Sequence, residues 1–153
     1  MADVDIRDTT VKDVAVLAAR MRASDRREVA AYGHTDVMRA VASSVANSVL
    51  CWSAFIDDEL AAILGAAPLS VMGGVGSPWM LGTDVLTRHS RVLVSQTPAY
   101  IDRMLVAFPH LLNFVHAENT TSVRWLRRLG FTIHPAMPFG ELGAPFHKFE
   151  MRA

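Results

Sequence analysis

The hydrophobic period of this chain switches repeatedly between two residues and about three and a half, and the order of those switches limits the folds open to it. Val4 and Ile6 alternate with polar neighbours, as in a short strand, and Asp8-Thr9-Thr10 then supplies oxygens suited to capping a helix. From Val11, apolar residues at 14, 17, 18 and 21 recur at three- and four-residue spacing. This predicts an amphipathic helix that runs on through the charged stretch 24–28 and stops at Gly33. A second helix is expected from about Thr35, where Val37, Val41, Val45 and Val49 trace a four-residue stripe. Residues 49–56 and 60–65, separated at Asp57-Asp58, read as a hairpin. The glycine-rich run 73–76 precedes a strand rather than a helix, so it reads as a turn and not a phosphate loop; the strand runs over 78–84. A helical region follows from Leu86 to Phe108, restarted or kinked at Pro98. Residues 111–115 form a short buried strand, and Asn119-Thr120-Thr121 caps a helix that ends at Leu129, before Gly130. Residues 131–133 and 146–151 are two final strands on either side of a Pro/Gly-rich loop. The prediction is a single α/β (α+β) domain over residues 1–153, with about seven strands in a central mixed, mostly antiparallel sheet and four helices, in the order βααβββαβαββ.

Composition narrows the function. Fifteen Lys and Arg balance fifteen Asp and Glu, which argues against sequence-specific or general nucleic-acid binding driven by excess positive charge. The lone Cys51 lies in the apolar run 49–52 and has no second cysteine to pair with, so it reads as a core thiol. No run of about 18 apolar residues exists to span a membrane. The first ten residues lack the basic-then-apolar order of a secretory signal, so the protein is expected to stay where it is made. The scattered His89, His110, His116 and His134 lack ligand spacing, so no metal is expected. Arg124, Arg127 and Arg128 read as a solvated helix face.

Two segments carry a resemblance. The run Asn119-Thr120-Thr121-Ser122-Val123-Arg124-Trp125-Leu126-Arg127-Arg128-Leu129-Gly130-Phe131 resembles the signature near the carboxyl end of GNAT acetyltransferases. The run Ser77-Pro78-Trp79-Met80-Leu81-Gly82-Thr83-Asp84, with Asn113 and Asn119, is similar to the Gp13-like internal virion proteins of short-tailed bacteriophages, themselves GNAT-like. The first resemblance implies a splayed sheet that takes acetyl-CoA. The second implies a virion-associated or assembly protein, in a virion or the host cytoplasm, whose partners are other phage structural proteins or itself.

The resemblance also marks where chemistry would sit. GNAT enzymes follow the fourth strand with a glycine-rich turn whose amides meet a pyrophosphate. Here residues 84–98 contain no glycine, leaving Arg88 and Arg91 as the charges available for phosphate. Leu81, Gly82 and Thr83 would offer strand amides to the cofactor, with a bulge at Gly82, and Asn119 would complete the cofactor site. The tyrosine that commonly protonates the departing thiolate is replaced by Leu126, which cannot transfer a proton. Asp84, whose ordinary role would be a helix cap, and His116 are the candidate proton-transfer groups. Because the glycine turn is missing, the expected function is a binding protein with a degenerate acetyl-CoA site; the alternative is an acetyl-CoA-dependent N-acetyltransferase acting on a small amine or a protein amino group.

Overall fold

The computed structural model describes residues 2–153. Strand β1 (Val4–Asp8) leads into helix α1 (Val11–Arg20), whose start is fixed by a reciprocal cap: Thr10 Oγ1 accepts from Asp13 N and Asp13 accepts from Thr10 N. The helix does not run on to Gly33 as its charge pattern suggested. Met21 and Arg22 are extended (ψ 133° and 152°), Met21 bridges to Thr83, and α2 (Ala23–Ala31) starts afresh. Burial of Met21 against the sheet outweighs one more helical turn. Helix α3 (Val37–Asn47) is capped by Asp36 and ends before Val49, which is exposed.

Strands β2 (Leu50–Ile56) and β3 (Glu59–Ser70) form the expected hairpin. Its two-residue turn places Asp57 and Asp58 at positive φ, the conformation that lets a tight turn match strand twist. Strand β4 (Val75–Gly82) follows the Gly73-Gly74 tip. The helical region beyond it divides at His89, not at Pro98, into α4 (Asp84–Arg88) and α5 (Ser90–Ala107). Thr83, rather than Asp84, caps α4 through its side chain. Strand β5 (His110–His116), helix α6 (Thr120–Leu129) and strands β6 (Thr132–Ile133), β7 (Met137–Phe139) and β8 (Ala144–Arg152) complete the chain. Gly130, at φ 101°, turns the chain out of α6 as its position after Leu129 predicts.

Among the described residues the sheet therefore has eight strands, and there are six helices. The additional elements are the split of each long helical region and the short β7 in the loop. The strand order is β1-β2-β3-β4-β5-β8-β6, with β7 also on β8, and all pairs are antiparallel except β4 with β5. Leu17, Val41, Phe55 and Ile63 pack on one face with α1 and α3. Trp52, Ile101, Met104 and Leu111 pack on the other with α5 and α6. Among the described residues no helix is long and apolar enough to cross a membrane.

The parallel pair creates the opening. Strands β4 and β5 are paired only at Val75 with His110 and Gly76 with Leu111, and then separate. Gly76 lies so close to the Phe108 ring that a side chain would collide with it. The junction of the V is thus pinned at its narrow end.

Candidate active site

The V between β4 and β5 opens into a cavity of about 370 Å³. Helix α2 borders it on one face of the sheet, and α5 and α6 border it on the other. The backbone lining the V follows from register. Thr83 N–H donates to Ala61 C=O at 2.9 Å, so Leu81 and Trp79 also turn their polar groups toward β3. Pro78, Met80 and Gly82 point theirs into the V. Pro78 has no N–H to leave unsatisfied there, and its carbonyl accepts from Asn113 Nδ2 across the gap at 2.7 Å. At Gly82, N–H donates to Asp25 Oδ2 at 2.8 Å and C=O accepts from Arg22 N–H at 2.9 Å. Met80 lies between them with its N–H and C=O on the open edge.

Helix α2 and the residues that flank it cover the wide end of the V through Arg22, Asp25, Glu28 and Tyr32. Asp25, 1% exposed, pairs with Arg22 at 2.7 Å while holding Gly82. Glu28 Oε1 accepts from His116 N–H at 2.7 Å, and Tyr32 OH donates to Phe114 C=O at 2.9 Å. Together these ties join α2 to both arms of the V.

Parts of Glu28 reach the cavity, but its carboxyl is enclosed, and burial pushes its pKa up to about 7. The nearby Asp25 carboxylate adds to the rise; the His116 N–H opposes it most, followed by the Asn119 side chain and Arg22. Burial also raises the Tyr32 hydroxyl, and Glu28 reinforces that rise, so Tyr32 stays neutral. The site thus holds one carboxyl able to exchange a proton near neutrality beside an open strand edge.

The structure distributes the sequence-nominated residues unevenly. His116 and Asn119, both buried, come together beside Glu28; His116 contributes its backbone N–H, while its ring packs on Phe146 at 5.1 Å. Leu81 lines the cavity. Gly82 does not line it, and Asp25 and Arg22 have taken its polar groups, while Thr83 turns to β3 and caps α4. No register shift occurs at Gly82; the β3–β4 irregularity lies between Pro68 and Ser70. The register instead runs unbroken from Ala62 opposite Gly82 to Thr83 N–H on Ala61 C=O, so no bulge forms at Gly82. Asp84 and Arg91 are exposed, Arg88 reaches Glu59 at 3.4 Å on the surface, and none of the three lines the cavity. The glycine-free stretch after β4 forms α4, the kink at His89 and the start of α5.

Sequence reasoning missed Asp25, Glu28 and Tyr32 because they lie in or beside a charged stretch that reads as a solvated face. The available signal was the stripe of Asp25, Val29 and Tyr32, with Glu28 alongside, which puts two acids on the same face as buried apolar groups.

The groups around the V would suit an arm such as that of acetyl-CoA. The Met80 edge, unpaired with β5, offers a donor and an acceptor to an extended chain carrying amides, and the cavity wall is mostly apolar. Nε1 of Trp125, on the helix that borders it, is a buried donor without a partner. The phosphate end has no equivalent cradle, because residues 84–91 contain no glycine.

No protein-family model matches the sequence, and no curated protein matches it. Solved structures do match the fold. A structure described as a putative acetyltransferase from Acinetobacter baylyi superposes with a TM-score of 0.75 at 11% identity, covering 100% of this chain and 94% of that one. An acetyltransferase of the GNAT family from Streptococcus pneumoniae gives 0.63 at 13% identity, covering 98% and 99%. An aminoglycoside acetyltransferase in complex with coenzyme A gives 0.70 at 15% identity, covering 98% and 95%. The chain therefore has the GNAT acetyltransferase fold. The similarity to phage internal virion proteins finds no support among these matches.

Proposed function

We propose that this protein is an acetyl-CoA-dependent N-acetyltransferase in which Glu28 is the general base. The observation that carries the reading is the enclosed Glu28 carboxyl, with a pKa of about 7, at the wide end of a V where Met80 is unpaired with β5. Acetyl-CoA, when bound, supplies the acetyl group as a thioester. The chain's own residues supply the rest. Glu28 takes the proton that the amine nucleophile loses, and a base poised near working pH does this most effectively. Met80 N–H is a fixed backbone donor for a carbonyl oxygen on which charge develops. The apolar cavity wall limits competing water. Leu126 takes no part in proton transfer, so the leaving thiolate takes its proton from water, and Glu28 returns the proton it accepted to solvent.

The test is thiol release from acetyl-CoA with a panel of small amines and amino-terminal peptides, alongside calorimetric titration with acetyl-CoA. Wild-type protein is expected to turn over at least one amine with an acid limb near pH 7, and Glu28→Gln to lower kcat by roughly 10²–10⁴-fold. No binding of acetyl-CoA and no thiol release from any amine would overturn the reading.

One observation favours a second reading, a partner-binding protein without turnover, whose partners would be a second copy or components of a virion. The missing glycine turn leaves no backbone cradle for a diphosphate. Co-sedimentation with phage particles, with no heat on titration, would favour it over catalysis.

A further inference from the structure

Asn119 is 7% exposed, and its Nδ2 has no protein partner. Its surroundings determine which way that donor points. Asn119 N–H donates to His116 C=O at 3.0 Å, closing a turn on the residue whose own N–H holds Glu28 at 2.7 Å. Asn119 Oδ1 accepts from Ser122 N–H at 3.4 Å, capping α6. With the oxygen committed to the cap, the planar amide directs Nδ2 away from the helix, and a donor there needs an acceptor. The side chain lies near enough to Glu28 to favour its anion, yet falls short of a hydrogen bond. An amide donor stranded beside a titrating carboxyl gains most when that carboxyl becomes charged, since bonds to ionised groups are the stronger ones.

We infer that Asn119 is a positioning residue whose Nδ2–H closes onto the Glu28 carboxylate when Glu28 gives up its proton, so that this amide and the His116 N–H hold the anion together. The inference rests on Glu28 as the proton acceptor proposed above, but its readout does not require turnover. The other groups facing Glu28 are accounted for. Asp25 opposes the anion and is itself paired with Arg22, which favours it. Tyr32, one turn along α2, is neutral and bonded to Phe114 C=O, and the His116 ring packs on Phe146. Of the groups that act on Glu28, Asn119 is the donor with no hydrogen-bond partner, and it sits at the start of α6, an element separate from α2.

NMR on the full unliganded chain tests this, following the Glu28 side-chain carboxyl carbon and the Asn119 side-chain amide as pH is varied. The Asn119 amide signal is expected to move through the same midpoint as the Glu28 carbon. Asn119→Ser keeps a capping oxygen and removes the donor; it should raise the Glu28 midpoint by roughly 0.5–1 on the pH scale. An Asn119 amide signal that stays still through the Glu28 transition overturns the inference, without reliance on any variant. So does an Asn119→Ser protein with the wild-type midpoint. In turnover, the acid limb of kcat/KM in Asn119→Ser should move with the NMR midpoint, which a loss of cap alone would not cause. If the wild-type protein transfers no acetyl group, the proposed function fails, while the two NMR titrations still decide the role of Asn119.

Discussion

Glu28 illustrates how far one residue's surroundings can move its chemistry. In an unfolded chain its carboxyl titrates at about 4.3, whereas enclosure between α2 and β5 raises it to about 7. The native state therefore keeps a proton that the unfolded chain has released. Stability falls as pH rises across that interval and is unaffected by this group below it. Glu28→Gln removes the titration and should be more stable than wild type by about 1–2 kcal/mol at pH 8, allowing for solvent that reaches the cavity. At pH 4 the two should match. Denaturant melts at both pH values check this, and an equal gap at both would remove the case for an enclosed, titrating Glu28. A residue that destabilises the fold at the pH where it is charged fits a group kept for chemistry rather than for packing.

At the scale of elements, the decisive feature is the break at Met21 and Arg22. A helix running unbroken from Val11 to Gly33 would carry Asp25 and Glu28 past the V, whereas the extended pair redirects α2 across its wide end. Asp25 is the anchor: it is buried, pairs with Arg22 and accepts from Gly82 N–H. Asp25→Ala leaves a guanidinium and a strand amide without their acceptor. It should cost about 3–5 kcal/mol, read from chemical denaturation, because one partner of a buried pair is left uncompensated. The same variant should loosen α2 selectively, giving faster amide exchange over 23–31 than over α5. The α6 end works by a different rule: its cap and its Gly130 stop are local in sequence, and both were predicted from spacing alone.

At the scale of the whole molecule, two half-sheets meet along two residue pairs and are otherwise joined by side chains. Asn113 ties β5 to Pro78, and α2 ties β5 to Gly82. The far half-sheet has its own clamp, in which Glu150 on β8 binds His110 of β5 at 2.8 Å and His134 beyond β6 at 2.5 Å. These hydrogen bonds, from His110 first and His134 second, lower the Glu150 pKa. A carboxyl lowered on folding stabilises the native state above its unfolded value and loses that contribution as pH falls through the folded one. Glu150→Gln should therefore lower Tm by roughly 2–4 °C at pH 7, with the difference closing at strongly acidic pH in thermal melts. The strand–helix order, the hairpin, the α6 cap and its glycine stop were legible in the chain because period, turn chemistry and capping are set by residues a few positions apart. The GNAT-like splay could be anticipated from the α6 signature, but the site within it could not. Asp84, Arg88 and Arg91 lie near the end of β4 in sequence and outside the cavity in space. Glu28, 88 residues before His116, reaches it because a helix break invisible in the charge pattern turns α2 across the sheet. Local sequence determined the elements. Only the tertiary structure decided which carboxyl would lose its water and so gain a pKa suited to moving protons, because desolvation depends on neighbours that the chain brings together from a distance.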